Sequence, residues 1–282
     1  MSIYPECIPC IIKQSLFAAK AAKIYDKKIQ MDILKQISNE INFIEKYETA
    51  PEFSSKIQSI VKNFSAINDP YEEMKEINLK KALKFIPYLK NYINDSEDKL
   101  EEAVRAAIIG NIIDLGANPD FNLEDEINRI SSNNIVLNDF PIFKKEVLKA
   151  EYILFIGDNT EEALFDKLLL EQLHPKKIIY AVRDNPILND ITFELAIRIG
   201  LNEYAEIISS GSKIAGTDLK QANETFKMIF NNAPVVIAKG QGNFETLENC
   251  SRKIFFMFKV KCDAIAKHTG YKIGTSVLYK KN

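Results

Sequence analysis

A chain of 282 residues is long enough for one large domain or two modest ones, with a sizeable core. Hydrophobic residues make up 46% and charged residues 27%, and Lys+Arg 37 against Asp+Glu 39 leave a net charge of -2, which argues against a protein built mainly to coat nucleic acid. The longest apolar runs, Ile153–Ile156 and Ile254–Phe258, fall far short of the roughly 20 residues that cross a bilayer. The opening Met1-Ser2-Ile3-Tyr4-Pro5-Glu6 has no basic region leading into an apolar one, and four cysteines are too few for a disulfide scaffold. The expectation is a cytoplasmic protein with neither membrane nor nucleic acid as partner.

None of the ten glycines precedes Gly110, and eight lie at or after Gly157. Glycine disfavours helix interiors and supplies the turns of α/β folds, so the first 109 residues read as helical. Leu34, Ile37, Ile41 and Ile44 recur at helical spacing, as do Leu100, Val104, Ala107 and Ile108, with prolines at 51, 70, 87 and 119 as punctuation. From about residue 150 the pattern changes to short β-rich runs: Tyr152–Ile156, Lys177–Val182, Ala205–Ile208 and Pro234–Ala238. Helical patterns near Glu161–Leu173, Thr192–Ile199 and Leu219–Phe230 separate them, the signature of a parallel sheet with crossover helices. Ile254–Val260 fits a strand or a buried helix, and Lys272–Tyr279 a closing strand. The fold expected is α/β, with a largely parallel sheet and crossover helices over 147–282 and an all-helical subdomain over 1–146.

Ligands of open α/β sheets bind beyond the carboxyl ends of the strands. Each predicted strand ends in a polar or glycine-containing motif: Gly157 to Glu162, Arg183 to Thr192, Ser209-Ser210-Gly211-Ser212 with Gly216-Thr217-Asp218, and Lys239-Gly240-Gln241-Gly242-Asn243. Parallel strands bring these loops to one edge. Neither His174 nor His268 lies in them, and no zinc-protease, nucleophile-elbow or Walker motif is present. Asp158, Asn159 and Asp190 supply two anionic oxygens and an amide oxygen, a set suited to a hard divalent ion such as Mg²⁺ or Mn²⁺. Two carboxylates only neutralise such an ion. Lys239, flanked by Gly240 and Gly242, adds a cation and backbone N–H groups able to nest a phosphate. One such charge at roughly 4 Å is worth about 4 kcal/mol at an effective dielectric near 20, which points to metal-assisted phosphoryl chemistry. Taken singly, an Asp or Asn after a strand is as readily a helix cap, and a Gly-x-Gly a tight turn.

In this order the motifs resemble the damage-control phosphatase family, metal-dependent phosphatases also described as acidic residue methyltransferase-like. That pattern is Gly-Asp-Asn-Ala-Gly-Glu, Pro-x-x-Asn-Asp-x-Thr, Ser-Gly-x-x-x-x-Gly-Thr and Lys-Gly-Gln-Gly-Asn. Here it is matched by Gly157-Asp158-Asn159, Pro186 to Thr192, Ser210-Gly211 with Gly216-Thr217, and Lys239 to Asn243. Asp69-Pro70-Tyr71 with Lys75 and Asn78, Gly110-Asn111 with Asp114, and Cys7-x-x-Cys10 extend the likeness over nearly the whole chain. The resemblance implies a helical subdomain packed on a three-layer α/β/α domain, a divalent metal (Mg, Mn, Co or Ni) on Asp158, Asn159 and Asp190, Lys239 on the substrate phosphate, and hydrolysis of sugar phosphates or other small phosphorylated metabolites.

Thr160-Glu161 replaces the family's Ala-Gly, bringing a carboxylate near the phosphate site and restricting backbone approach, and Asp184 adds another charge that Arg183, as a second phosphate contact, can offset. Ser210, Gly211 and Gly240 complete the expected substrate contacts. Asn111, seven residues after Val104 on an apolar stripe, is expected to reach the cleft, and Glu162 is a candidate base or supporting group. Cys7 and Cys10 fit half a metal site, completed by Cys250 or Cys262, or simply buried thiols. Two other functions compete: an S-adenosylmethionine-dependent carboxyl methyltransferase, for which no dinucleotide-type glycine turn is present, and a non-catalytic phosphometabolite-binding protein.

Overall fold

A computed structural model describes residues 1–110 and 135–281. Asn111 and Asp114 lie outside the described residues. Six helices come first: α1 (Cys7–Ala21), α2 (Lys27–Ile41), α3 (Ala50–Lys62), α4 (Glu72–Leu83), α5 (Ile86–Asp95) and α6 (Lys99–Ile109). Local signals start several of them. Asp26 accepts from the Lys28 and Ile29 amides, Thr49 from Glu52 with Pro51 in the first turn, and Asp98 from Glu101.

The second half runs β1 (Ile135–Val136), α7 (Phe140–Lys149), β2 (Tyr152–Ile156), α8 (Glu162–Leu173), β3 (Lys177–Val182), α9 (Phe193–Arg198), β4 (Glu206–Ser209), α10 (Glu224–Asn232), β5 (Val235–Lys239), α11 (Gly240–Leu247), β6 (Ile254–Lys259), α12 (Asp263–Thr269) and β7 (Ser276–Lys281). The strands form one seven-stranded sheet in the order β1-β7-β6-β5-β2-β3-β4. Neighbours are parallel except β6 and β7, which pair antiparallel from Ile254↔Lys281 to Lys259↔Ser276. The α/β architecture with its largely parallel sheet and N-terminal helices is as the sequence predicts. The run from Ile254 resolves as a strand.

Side chains of the central strands alternate between two buried faces, as a period of two requires. Ile153, Phe155, Ile178, Tyr180, Val182, Val235, Ile237, Phe255 and Met257 join the core under α4–α8, whereas Leu154, Ile156, Ile179, Ala181, Val236, Ala238, Phe256 and Phe258 join the core under α10–α12. Helices α1–α3 hold a third cluster of their own, built on Ile11, Ile33, Ile37, Phe53, Ile57 and Val61. The division expected at 146/147 falls inside α7, and β1, which precedes it, is a strand of the sheet.

Candidate active site

The parallel run β4-β3-β2-β5 brings four strand ends together, and backbone hydrogen bonds then stitch two of the loops to each other. Ile191 N–H donates to Asp158 O (2.8 Å), Thr160 N–H to Asn189 O (2.8 Å) and Arg183 N–H to Ile191 O (3.0 Å). Asn159 and Asp190 form an isolated antiparallel bridge. Asp158, Asn159 and Asp190, which are 31 and 32 residues apart along the chain, are therefore neighbours at one place. The loop makes this return through Leu188, whose φ of +47° is left-handed, a conformation that costs a side-chain-bearing residue roughly 1–2 kcal/mol. Leu188 packs against the α1–α3 cluster, which offsets that strain.

Arg183 organises the carboxylates from behind. Its guanidinium is fully buried and donates from Nε to Asp190 Oδ2 (2.7 Å) and from Nη2 to Asn243 Oδ1 (3.1 Å), while Nη2 lies 3.8 Å from Asp158 Oδ1. Thr217 Oγ1 donates to the same Asn243 oxygen (2.9 Å), and Asn243 Nδ2 donates to Gly157 O (3.0 Å) and Lys239 O (2.7 Å). Gly240 is needed at this point: its φ is +80°, and a Cβ there would collide with the Asp158 carboxylate.

Behind Asn159 a second buried set extends into the sheet. Asn159 Nδ2 donates to Glu162 Oε1. Lys239 Nζ lies 3.5 Å from Glu162 Oε2, donates to Asp166 Oδ1 (2.6 Å) and donates to Ala107 O of α6 (2.8 Å). The Tyr180 hydroxyl donates to Asp166 Oδ2 (2.8 Å).

Asp158, Glu161, Glu162, Asp166 and Asp190 are thus five buried carboxyls around the buried cations Arg183 and Lys239, with buried Lys75 of α4 also acting on Asp190. Burial, together with Glu162 and Asp190, drives the Asp158 carboxyl well above the usual range, against the pull of Arg183. Burial also pushes Asp190 up to about 6, with Arg183 opposing it. Asp166 is raised by burial despite Lys239. Burial alone would lower the Lys239 ammonium, but Asp166 and Glu162 outweigh it and hold it high. Negative charge is in excess, which is the electrostatic condition a bound cation relieves.

The carboxylates open into a cavity of about 370 Å³. Asp158, Asn159, Asn189 and Asp190 form its floor; Cys7, Cys10, Ile11 and Gln14 of α1 and Ala50, Pro51 and Ser54 of α3 form its roof; Gln241, Glu245, Lys261 and Cys262 close one side. Lys261 is exposed and is the only Lys or Arg among the described lining residues. None of the four strand-end motifs contains it, yet the sequence carries a signal for it. The run Ile254–Val260 ends in Lys261-Cys262-Asp263, a fifth strand-end loop visible once that run is read as a strand.

The other expected contacts are placed differently. Lys239, Arg183, Glu162, Ser210, Gly211 and Gly240 do not line the cavity. Ser210 is fully buried and donates to Val182 O (2.8 Å), while Gly211, at φ +76°, lies where a Cβ would come within 2.6 Å of Asn223 N. Glu161 does not line the cavity; it accepts from Asn189 Nδ2 of the floor (2.9 Å) and from Asn78 Nδ2 of α4 (3.2 Å). Thr160 ties two loops through its hydroxyl, which lies within hydrogen-bonding reach of Asn189 O (2.9 Å) and Asp190 O (3.2 Å). Asp184 accepts from Ser209 Oγ (2.8 Å) at the sheet edge. The Asp69–Lys75 pair (2.6 Å) fixes the start of α4. Cys7, Cys10 and Cys262 share the cavity wall as free thiols, and burial raises the first two. Among the described residues no three His, Cys, Asp or Glu side chains gather as a metal site. The floor carries two carboxylates and two amides, of which Asn189 is bonded through Nδ2 to Glu161.

The damage-control phosphatase ARMT1-like domain matches residues 3–277. The chain is 33% identical to an uncharacterized protein of Methanocaldococcus jannaschii over 100% of this chain and 96% of that one. It is 32% identical to a protein of Pyrococcus horikoshii named damage-control phosphatase, over 95% of this chain and 94% of that one. The crystal structure of a DUF89 family protein from P. horikoshii superposes with a TM-score of 0.89 at 31% identity, covering 100% of both chains. With sequence match, fold and motif order in agreement over its length, the chain belongs to the damage-control phosphatase ARMT1-like family.

Proposed function

We propose that the protein is a divalent-metal-dependent phosphatase hydrolysing phosphate esters of small metabolites such as sugar phosphates. The observation that carries this reading is the meeting of Asp158, Asn159 and Asp190 on the floor of a cavity beside which buried carboxyls outnumber buried cations. Asp158, Asp190 and the Asn159 amide oxygen are the residues that would hold the metal. The Asn159 nitrogen is already committed to Glu162, which leaves its oxygen as the available donor atom. A divalent ion supplies charge for the phosphoryl oxygens and lowers the pKa of water.

The remaining work falls to the chain. Arg183 fixes both carboxylates so that little reorganisation is needed on binding. Lys261 is placed at the cavity wall to pair with a phosphate oxygen, and the roof of α1 and α3 limits water. A volume of about 370 Å³ suits a small metabolite rather than a macromolecule.

The test is phosphate release from p-nitrophenyl phosphate and a sugar-phosphate panel with Mg²⁺, Mn²⁺, Co²⁺ or Ni²⁺, each against a chelated control. Release that requires metal is expected. No release from any ester, with phosphate or sugar-phosphate binding retained, would instead make the protein a non-catalytic phosphometabolite binder.

A further inference from the structure

Lys239 sits in the Lys-Gly-Gln-Gly-Asn motif, where the family resemblance implies a substrate-phosphate contact. Its surroundings are those of an internal cation. It is completely buried, does not line the cavity, and its Nζ is bonded to Asp166 Oδ1 (2.6 Å) and Ala107 O (2.8 Å), with Glu162 Oε2 at 3.5 Å. All three partners are protein acceptors. An ammonium group has three donor hydrogens, and three acceptors already surround this one.

Those partners form a line with a direction. Tyr180 in the middle of β3 donates to Asp166 on α8 (2.8 Å), and Asp166 accepts from Lys239 at the end of β5 (2.6 Å). Lys239 faces Glu162 at the start of α8, and Glu162 accepts from the Asn159 amide nitrogen. The last link decides the chemistry. An Asn side chain that donates through its nitrogen to Glu162 presents its oxygen the opposite way, whereas a flipped amide would set oxygen against a carboxylate. Glu162 Oε2 has no hydrogen-bond partner of its own, and Lys239 Nζ, 3.5 Å away, is the cation that holds this buried side chain in place.

We propose that Lys239 and Asp166 are positioning residues for the metal centre. Through Glu162 they orient the Asn159 amide oxygen, and Lys239 makes no contact with the substrate phosphate. The inference rests on the metal-dependent reading above and adds to it a division of labour. The lysine of the motif serves the metal site from beneath, and the cavity's own cation, Lys261, is left to face the anion.

The experiment uses the full-length protein with Mn²⁺ as the metal and inorganic phosphate as the anion. Mn²⁺ affinity is measured by calorimetry, and phosphate binding at saturating Mn²⁺ by competition against p-nitrophenyl phosphate. Asp166→Asn and Lys239→Met are expected to weaken Mn²⁺ binding by roughly 10- to 100-fold, the range for losing a group that holds a metal ligand. Phosphate affinity at saturating metal should stay within about twofold, as expected when no direct contact is lost. A Lys239→Met protein that binds Mn²⁺ normally and phosphate at least tenfold more weakly overturns the proposal.

Acetic anhydride labelling of the unmodified protein needs no variant to fold. Lys239 should stay unlabelled with or without Mn²⁺ and phosphate, and labelling of Lys239 that phosphate suppresses overturns the proposal. Wild-type protein that takes up no Mn²⁺ overturns the phosphatase reading together with this one, whereas normal uptake by wild type and both variants alike overturns this one alone.

Discussion

Gly240 shows how much of the floor depends on a missing side chain. Its left-handed φ of +80° and the collision a Cβ would make with Asp158 act on the same atom group, so no alternative rotamer relieves both. Gly240→Ala is expected to cost roughly 1–2 kcal/mol from backbone conformation alone. It should also displace the Asp158 carboxylate, so metal binding falls by more than the melting temperature indicates. Parallel calorimetry with Mn²⁺ and thermal melts check this, and a variant with native metal affinity would refute the role given to the glycine. Arg183 teaches the complementary lesson. In sequence it is a charge beside Asp184, available to solvent and substrate, but in the fold it is a buried clamp on Asp190, Asn243 and Asp158.

Among the elements, the strands were legible because burial on both faces writes continuous apolar runs, and β2 and β3 match their predicted spans residue for residue. β1 was not legible: two residues, Ile135 and Val136, carry no periodicity. α12, seven residues long, is too short for a helical repeat to show. For the site, the residue types at strand ends gave the convergence of Asp158, Asn159 and Asp190, since parallel strands oblige their carboxyl ends to share an edge. They did not give direction. Whether Lys239 points up into the cavity or down between β5 and α8 depends on Asp166, a residue of α8 that periodicity presents as one more helix position. Nor could charge counting foresee that Glu161 would turn to Asn78 and Asn189. The loop pairing that sets this is tertiary, made by Thr160 with the carbonyls of Asn189 and Asp190.

Over the whole molecule the buried carboxyls couple stability to pH and to cations. Asp190 is raised from 3.8 to about 6, and Asp158, Glu161, Asp166 and Glu245 move the same way by burial. Between those values the native state keeps protons that the unfolded chain has released, so the metal-free protein is expected to lose stability as pH rises from about 4 to about 6. With the metal bound as proposed, saturating Mn²⁺ would stabilise the ionised carboxylates and should flatten or reverse the slope. Urea unfolding midpoints at pH 4.5, 5.5 and 6.5, with and without metal, measure it, and a metal-free midpoint that rises over this window contradicts the electrostatics described. No helix among the described residues is long and apolar enough to cross a membrane.

The roof of the cavity carries its own hydrophobic cluster, and among the described residues its polar ties to the rest include Ala215 N–H to Ser55 Oγ (3.0 Å), the Lys220–Glu48 and Lys267–Glu6 ion pairs and, ahead of α1, Met1 N⁺–H to Glu245 O (2.6 Å). With a cluster of their own, helices α1–α3 are expected to open as a cooperative unit ahead of the strands, at a free energy below that of global unfolding. Amide hydrogen exchange should show it directly, with the amides of α1–α3 exchanging together and sooner than those of β2, β3 and β5, and equal protection in both would mean that roof and floor open only as one.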